Sequence, residues 1–192
     1  MRPFPTGSSL SLLTSAALLA LAGCSGNSST AQSQASSTQP SGKTLAQAIA
    51  GTDNLSTVAD ELRATGLSQV FDGAGTYTIL APTDAAFAKL GDAGVALKKP
   101  DNRSEMAAVL RDHIVPGYLT TADIESAIDA QHGAARVQTM GDHQLRFTRA
   151  GDGLKVTNED GSEAMIAGDA LMAGNGVAIP IDGVLKKLSH SG

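Results

Sequence analysis

Few residues in this chain of 192 could carry chemistry, and His113 is the first of them. Met106, Val109, Leu110, His113 and Ile114 fall at i, i+3, i+4, i+7 and i+8, so the imidazole lies on the apolar stripe of a helix. A ring placed there is either the general base of a hydrolase or a buried group hydrogen-bonded to backbone. The tendency of buried polar groups to find partners favours the second. His132, His143 and His190 have no second ligand at i+4 and form no His-x-His pair, so no metal site is expected. A Ser, His, Asp set can be drawn from any serine-rich chain, but no G-x-S-x-G elbow occurs. Glu159-Asp160-Gly161 reads as a turn and not as paired catalytic carboxylates. Lys98-Lys99 and Lys186-Lys187 are too short to be nucleic-acid or membrane patches. Met165 and Met172 are read as core fillers. The residue types therefore favour a structural His113 and no metal site, with a hydrolase centred on His113 kept as the alternative.

The remaining reactive group is the single cysteine, Cys24. It follows LSLLTSAALLAL at residues 10–21, an apolar run too short to span a bilayer, which takes about 20 residues. The run, preceded only by Arg2, has the layout of a signal peptide over residues 1–23. Leu21-Ala22-Gly23-Cys24 resembles a bacterial lipobox, in which the Cys sulfur receives a diacylglycerol and becomes the acylated N-terminus. Each buried CH₂ contributes about 0.8 kcal/mol, and two palmitate-like chains anchor stably. Ser25 in place of Asp implies, by analogy with sorted lipoproteins, the outer membrane of a diderm cell. Residues 24–42 then form a tether: SGNSSTAQSQASSTQPSG has no charge and no large apolar side chain to offset its ordering entropy. As a flexible coil it spans roughly 20–25 Å.

Composition narrows the partner. The formal net charge is −5, which opposes nucleic-acid binding. There is no Trp, and aromatic residues make up 3%, too few for a stacking platform. About 150 residues remain for one domain, a size that buries about 70% of its unfolded surface.

The domain, residues 43–192, must position these groups with helices first and strands later. Leu45, Ala48 and Ile49 after Thr44 predict a short helix. Leu55, Val58, Ala59 and Leu62 predict another, capped by Asp53 or Asn54 and stopped by Gly66; Leu67, Val70 and Phe71 add a turn. Tyr77–Leu80 reads as a strand broken by Ala81-Pro82-Thr83-Asp84, with Thr83 or Asp84 capping a helix that buries Phe87 and Leu90. Residues 91–103 read as a loop. A helix capped by Ser104 carries the His113 stripe and ends at Val115-Pro116-Gly117, and Thr121 caps a helix with Ile124 and Ile128. From about residue 134 the period becomes two: Arg136–Met140, then Leu145 and Phe147 paired with Leu154 and Val156 across Gly151-Asp152-Gly153, then Ala164–Ala167, Ala170–Ala173 and Val177–Ile181. Val177, Ile179 and Ile181 share a face, and Pro180 suggests an edge or a bulge. The expected fold class is α+β.

Four segments, in order, resemble a fasciclin-type domain: TLAQAIAGTDNLSTVADELRATGL from Thr44; YTILAPTDAAF from Tyr77; LRDHIVPG from Leu110; and NGVAIPIDGVL from Asn175. The resemblance implies short strands in a wedge or sandwich with helices packed on it, a bacterial lipoprotein, and adhesion to a protein or polysaccharide partner without cofactor or reaction. Thr83, Asp84, Phe87, His113, Pro116, Asn175, Gly176 and Asp182 are the motif positions and are read as structural. The family's middle motif usually has Tyr before its His, where Asp112 stands here. Its last signature often has His where Ile179 stands, so partner-binding roles are not carried over to either. The alternatives are an envelope hydrolase centred on His113 and a purely structural envelope lipoprotein.

Overall fold

Thr44 opens the first helix because its hydroxyl accepts from Gln47 N–H while the Gln47 side chain returns to the Thr44 N–H, a reciprocal capping box. The computed structural model describes residues 41–188, all inside one unit, Ala35–Gly192. Cys24, the expected signal peptide, most of the expected tether and His190 lie outside the described residues. Pairing starts at Ser41, which bridges to Ala173 ahead of Lys43.

The first helix, α1 (Leu45–Ala50), buries Leu45 and Ile49; a 3₁₀ turn (Asp53–Leu55) leads to α2 (Ser56–Ala64) and α3 (Ser68–Asp72). Gly66 ends α2 with φ +76, a left-handed conformation that glycine enters without a Cβ clash. Strand β1 (Tyr77–Pro82) runs into α4 (Asp84–Ala88). Residues 91–103 are not a loop. They form α5 (Gly91–Leu97), a 3₁₀ turn (Pro100–Asn102) and the start of α6 (Arg103–Asp112), because Leu97 has a core position to fill despite the surrounding Gly and Pro. Ser104 therefore lies within the first turn of α6 and does not cap it. His113 closes α6, and Ile114, expected on the helical stripe, begins β2 (Ile114–Pro116). The α7 helix (Thr121–Ala130) is capped by Thr120, one residue before the expected Thr121, through a capping box with Asp123.

The remaining strands are β3 (Ala135–Gln138), β4 (Gln144–Ala150), β5 (Gly153–Asn158), β6 (Glu163–Met165), β7 (Leu171–Ala173) and β8 (Gly176–Ile181). They form two sheets, ordered β2-β1-β8-β7 and β3-β4-β5-β6. The second is an antiparallel meander joined by the expected turn at Gly151-Asp152. The first is mixed: β1 and β8 pair in parallel although about a hundred residues separate them, and Pro82 continues the strand instead of breaking it by pairing with Ile181.

This mixed sheet is buried on both faces, which explains the nearly continuous apolar text of β8. One face, with Ile79, Ala81, Ala173 and Ala178, packs on helices α1–α3 and α6 through Leu45, Ile49, Leu62, Phe71 and Leu110. The opposite face, with Leu80, Val177, Ile179 and Ile181, packs on Leu145, Phe147, Leu154 and Val156 of the meander and on Ile124 and Ile128 of α7. Small residues line the helix side, where backbone and helices approach. Strand β8 is central, so Pro180 does not mark a sheet edge. It lies beyond the short β7, and its carbonyl still accepts from Ala167 N–H at 2.8 Å.

Candidate functional site

The motif side chains sit at two ends of the mixed sheet, with His113 between them. At the end where β1 stops, Thr83 caps α4 by accepting from Ala86 N–H at 3.2 Å. Asp84 turns away from its own helix and caps α2 instead: its carboxylate accepts from Thr57 N–H at 2.7 Å and from Ser56 Oγ at 2.8 Å. Asp53 and Asn54, the expected caps of α2, make no such bond. Burial raises the Asp84 pKa, but these hydrogen bonds outweigh it and hold the carboxyl below its usual range. Phe87 packs into the helix-side core. Asp182 accepts from Met165 N–H at 2.7 Å, tying β8 to the meander, and Lys89 Nζ donates to its carbonyl at 2.7 Å.

At the opposite end, Asn175 joins three elements. Its Oδ1 accepts from Leu45 N–H at 2.7 Å, and its Nδ2 donates to the carbonyls of Phe71 at 2.6 Å and Gly73 at 3.1 Å. Gly176 beside it passes so near Tyr77 O that a Cβ would collide, and that Cβ would also lie 2.8 Å from Leu45 Cδ2. Pro116, the exposed end of β2, is paired with Tyr77 in the same register row.

His113 is fully buried. Its Nδ1 lies 2.8 Å from the Val109 carbonyl, and Leu185 N–H donates to its Nε2 at 2.9 Å. A carbonyl only accepts and an amide N–H only donates, so the ring is neutral with its proton on Nδ1. Burial pushes its pKa down to about 4, against the smaller upward pulls of the Val109 carbonyl, Asp112 and Asp160. Neither nitrogen is left for a substrate.

Two constellations were missed by sequence reasoning. Asp112 is buried, and its carboxylate meets His143 Nδ1 at 2.7 Å and Lys186 Nζ at 3.2 Å. A carboxylate at a helix C-terminus opposes the helix dipole; the Lys186 ammonium and the His143 ring nitrogen answer that penalty. A Cβ at Gly141 would strike Asp112 Oδ1, so the β3–β4 turn needs glycine there. The other constellation lies on the outer face of the meander. Arg136 and Arg146 are cross-strand partners, and Arg146 pairs in turn with Thr157. With Gln144, Asn158 and Glu159 they line a shallow groove of about 290 Å³. Their signal was present, since both arginines occupy polar positions of alternating strands, but only the register brings them together. Glu159-Asp160-Gly161 is a turn as read: Asp160 accepts from Ser162 N–H at 2.8 Å and Lys187 N–H at 2.7 Å. Among the described residues no group of three His, Cys, Asp or Glu side chains could hold a metal, and no helix is long and apolar enough to cross a membrane.

Comparison with known proteins matches this arrangement. The chain is similar to Protein sll1483 of Synechocystis, 29% identical over 146 residues, covering 76% of this chain and 74% of that protein. Immunogenic protein MPB70 of Mycobacterium bovis is 32% identical over 111 residues, covering 58% of this chain and 50% of its own. The pig transforming growth factor-beta-induced protein ig-h3 is 28% identical over 149 residues, covering 78% of this chain but only 20% of its own length. Among solved structures, the FAS1 domain pair of the insect cell adhesion molecule fasciclin I superposes with a TM-score of 0.67 at 14% identity, over 76% of this chain and 51% of that one. The fold is thus the FAS1 fold, α+β as expected. A sequence model described as the Fasciclin domain matches residues 53–187, and the chain belongs to that family.

Proposed function

We propose that the chain is a binding module of the bacterial cell envelope, tethered to a membrane through an acylated Cys24 and adhering to a protein or polysaccharide partner. Family membership over residues 53–187 carries this reading, because fasciclin domains are typically adhesion or binding modules and not enzymes. The motif chemistry supports it. Thr83, Asp84, His113, Asn175 and Asp182 each hold backbone groups of another segment or helix end, and no two of them converge on a reactive atom. The lipobox-like Leu21-Ala22-Gly23-Cys24 motivates the anchor, and Ser25 the outer membrane in a diderm cell. No cofactor and no nucleic acid enter the proposal.

Fractionation of cells carrying the full chain tests the anchor. The native protein should sediment with membranes and yield an N-terminal peptide bearing a diacylglyceryl thioether on Cys24. Cys24→Ser should instead be released in buffer. An unmodified thiol on native protein that washes off membranes would contradict the reading.

A further inference from the structure

Resting on the reading of the chain as a binding module, we infer that the groove on the outer face of the meander is a site for an acidic polysaccharide. Arg136 and Arg146 clamp a uronate carboxylate, while Gln144, Thr157 and Glu159 meet ring hydroxyls.

The register places Arg136 directly opposite Arg146 on solvent-facing positions. Like charges facing each other across a strand pair are destabilising. Among the described residues neither guanidinium makes a hydrogen bond or an ion pair; Lys43, Lys98, Lys99, Arg103, Arg111 and Lys187 make no ion pair either, but Arg136 and Arg146 are the two that the strand register sets face to face. Acidic residues outnumber Lys and Arg by 19 to 14, so the arginines are not left bare for want of partners in the composition. Two neighbouring guanidinium forks suit one planar oxyanion, since each presents parallel N–H donors to a carboxylate.

The other lining residues narrow the occupant. Glu159 in the same groove disfavours more than one charge per sugar and accepts from hydroxyls. Gln144 offers both donors and an acceptor, and Thr157, whose hydroxyl donates to Glu163 Oε1 at 3.3 Å, offers an acceptor. Asn158 contributes wall rather than recognition, because its Nδ2 is committed to the Leu185 carbonyl and its Oδ1 to Glu159 N–H. No aromatic ring lines the groove, so stacking plays no part. A ligand with one carboxylate flanked by hydroxyls answers all of these groups, and its volume need matches the lower end of small-ligand sites, about 300 Å³. Sulfated chains carry more charge per hydroxyl, and a headgroup phosphate is tetrahedral where the paired forks suit a planar carboxylate.

The test uses the immobilised full chain with polygalacturonate, neutral dextran, dextran sulfate and vesicles containing anionic phospholipid as probes. Polygalacturonate should bind saturably and weaken as salt rises, dextran should not bind, and dextran sulfate and vesicles should bind less well. Arg136→Gln with Arg146→Gln should weaken polygalacturonate binding by about tenfold or more, as expected for lost charge-assisted bonds, while the melting temperature stays level or rises because the like-charge contact is gone. Binding that survives the double substitution overturns the site. Stronger binding of sulfate or vesicles, or no binding of polygalacturonate, overturns the uronate assignment. If any of these occurs while the chain still supports cell attachment, the binding-module reading stands and the groove is not its site.

Discussion

Replacing His113 separates its structural role from a catalytic one most cleanly, because the structure fixes both the size and the pH dependence of the effect. In His113→Leu the Val109 carbonyl and the Leu185 N–H lose a buried partner. Each unpaired buried group costs about 1–3 kcal/mol, so the variant should lose about 2–6 kcal/mol at pH 7.5. The ring's pKa lies at about 4 in the folded chain and near 6.5 in the unfolded one. Between these values the unfolded chain binds a proton that the folded chain does not. Stability from this ring is therefore complete above pH 6.5, falls as the pH drops, and is fully lost below pH 4, an amount of about 3 kcal/mol. Urea unfolding followed by far-ultraviolet circular dichroism suits a chain without Trp. Measured at pH 7.5 and 4.5, the wild type should lose about 2–3 kcal/mol more than His113→Leu over that interval, since carboxylate protonation is common to both. His113→Gln, which keeps an amide donor but does not titrate, should fall between them in stability at pH 7.5 and share the pH dependence of His113→Leu. Equal pH dependence in wild type and variant, or undiminished stability at pH 7.5, would refute the reasoning.

Other positions give sharper, smaller tests. Asn175→Ala removes three hydrogen bonds to α1 and the end of α3 and should cost about 2–4 kcal/mol, read as a lowered urea midpoint. Gly176→Ala should destabilise more than Gly42→Ala, because a Cβ at Gly42 meets open space and one at Gly176 meets Tyr77 O and Leu45; thermal melts of the two would compare them. Lys186→Met leaves the buried Asp112 with His143 alone and should cost about 1–3 kcal/mol, whereas Asp112→Asn frees Lys186 and His143, both of which already reach solvent, and should cost less. The Tyr118 hydroxyl is buried with no partner among the described residues, so Tyr118→Phe should leave the melting temperature level or raise it.

What the sequence made legible was whatever periodicity and turn chemistry control. The α1 cap at Thr44, the Gly66 stop, the Gly151-Asp152 hairpin and the shared face of Val177, Ile179 and Ile181 follow from local spacing, and each is present. The misreadings occur where a distant segment decides. Asp84 was open as a cap of its own helix, yet it reaches back to α2, a contact that only the folding of β1 against the helices creates. Pro82 and Pro180 look like breakers along the chain but fit a parallel pair whose other hydrogen bonds hold the strands. Ile114 continues a helical stripe in text and yet starts a strand, because pairing with Ile79 competes with another helical turn. For the same reason the His113 ring could be placed on a buried stripe from spacing, but its second partner, Leu185, could not. The arginine pair was invisible because a register, not a spacing, joins Arg136 to Arg146.

Attachment of living cells tests the proposed role most directly. A strain lacking this chain should adhere less to its surface or matrix than the parent, and the native gene should restore adhesion. A Cys24→Ser copy should not restore it, although its domain folds. Undiminished attachment of the deletion strain, or full rescue by the unanchored Cys24→Ser copy, would contradict a tethered adhesive module.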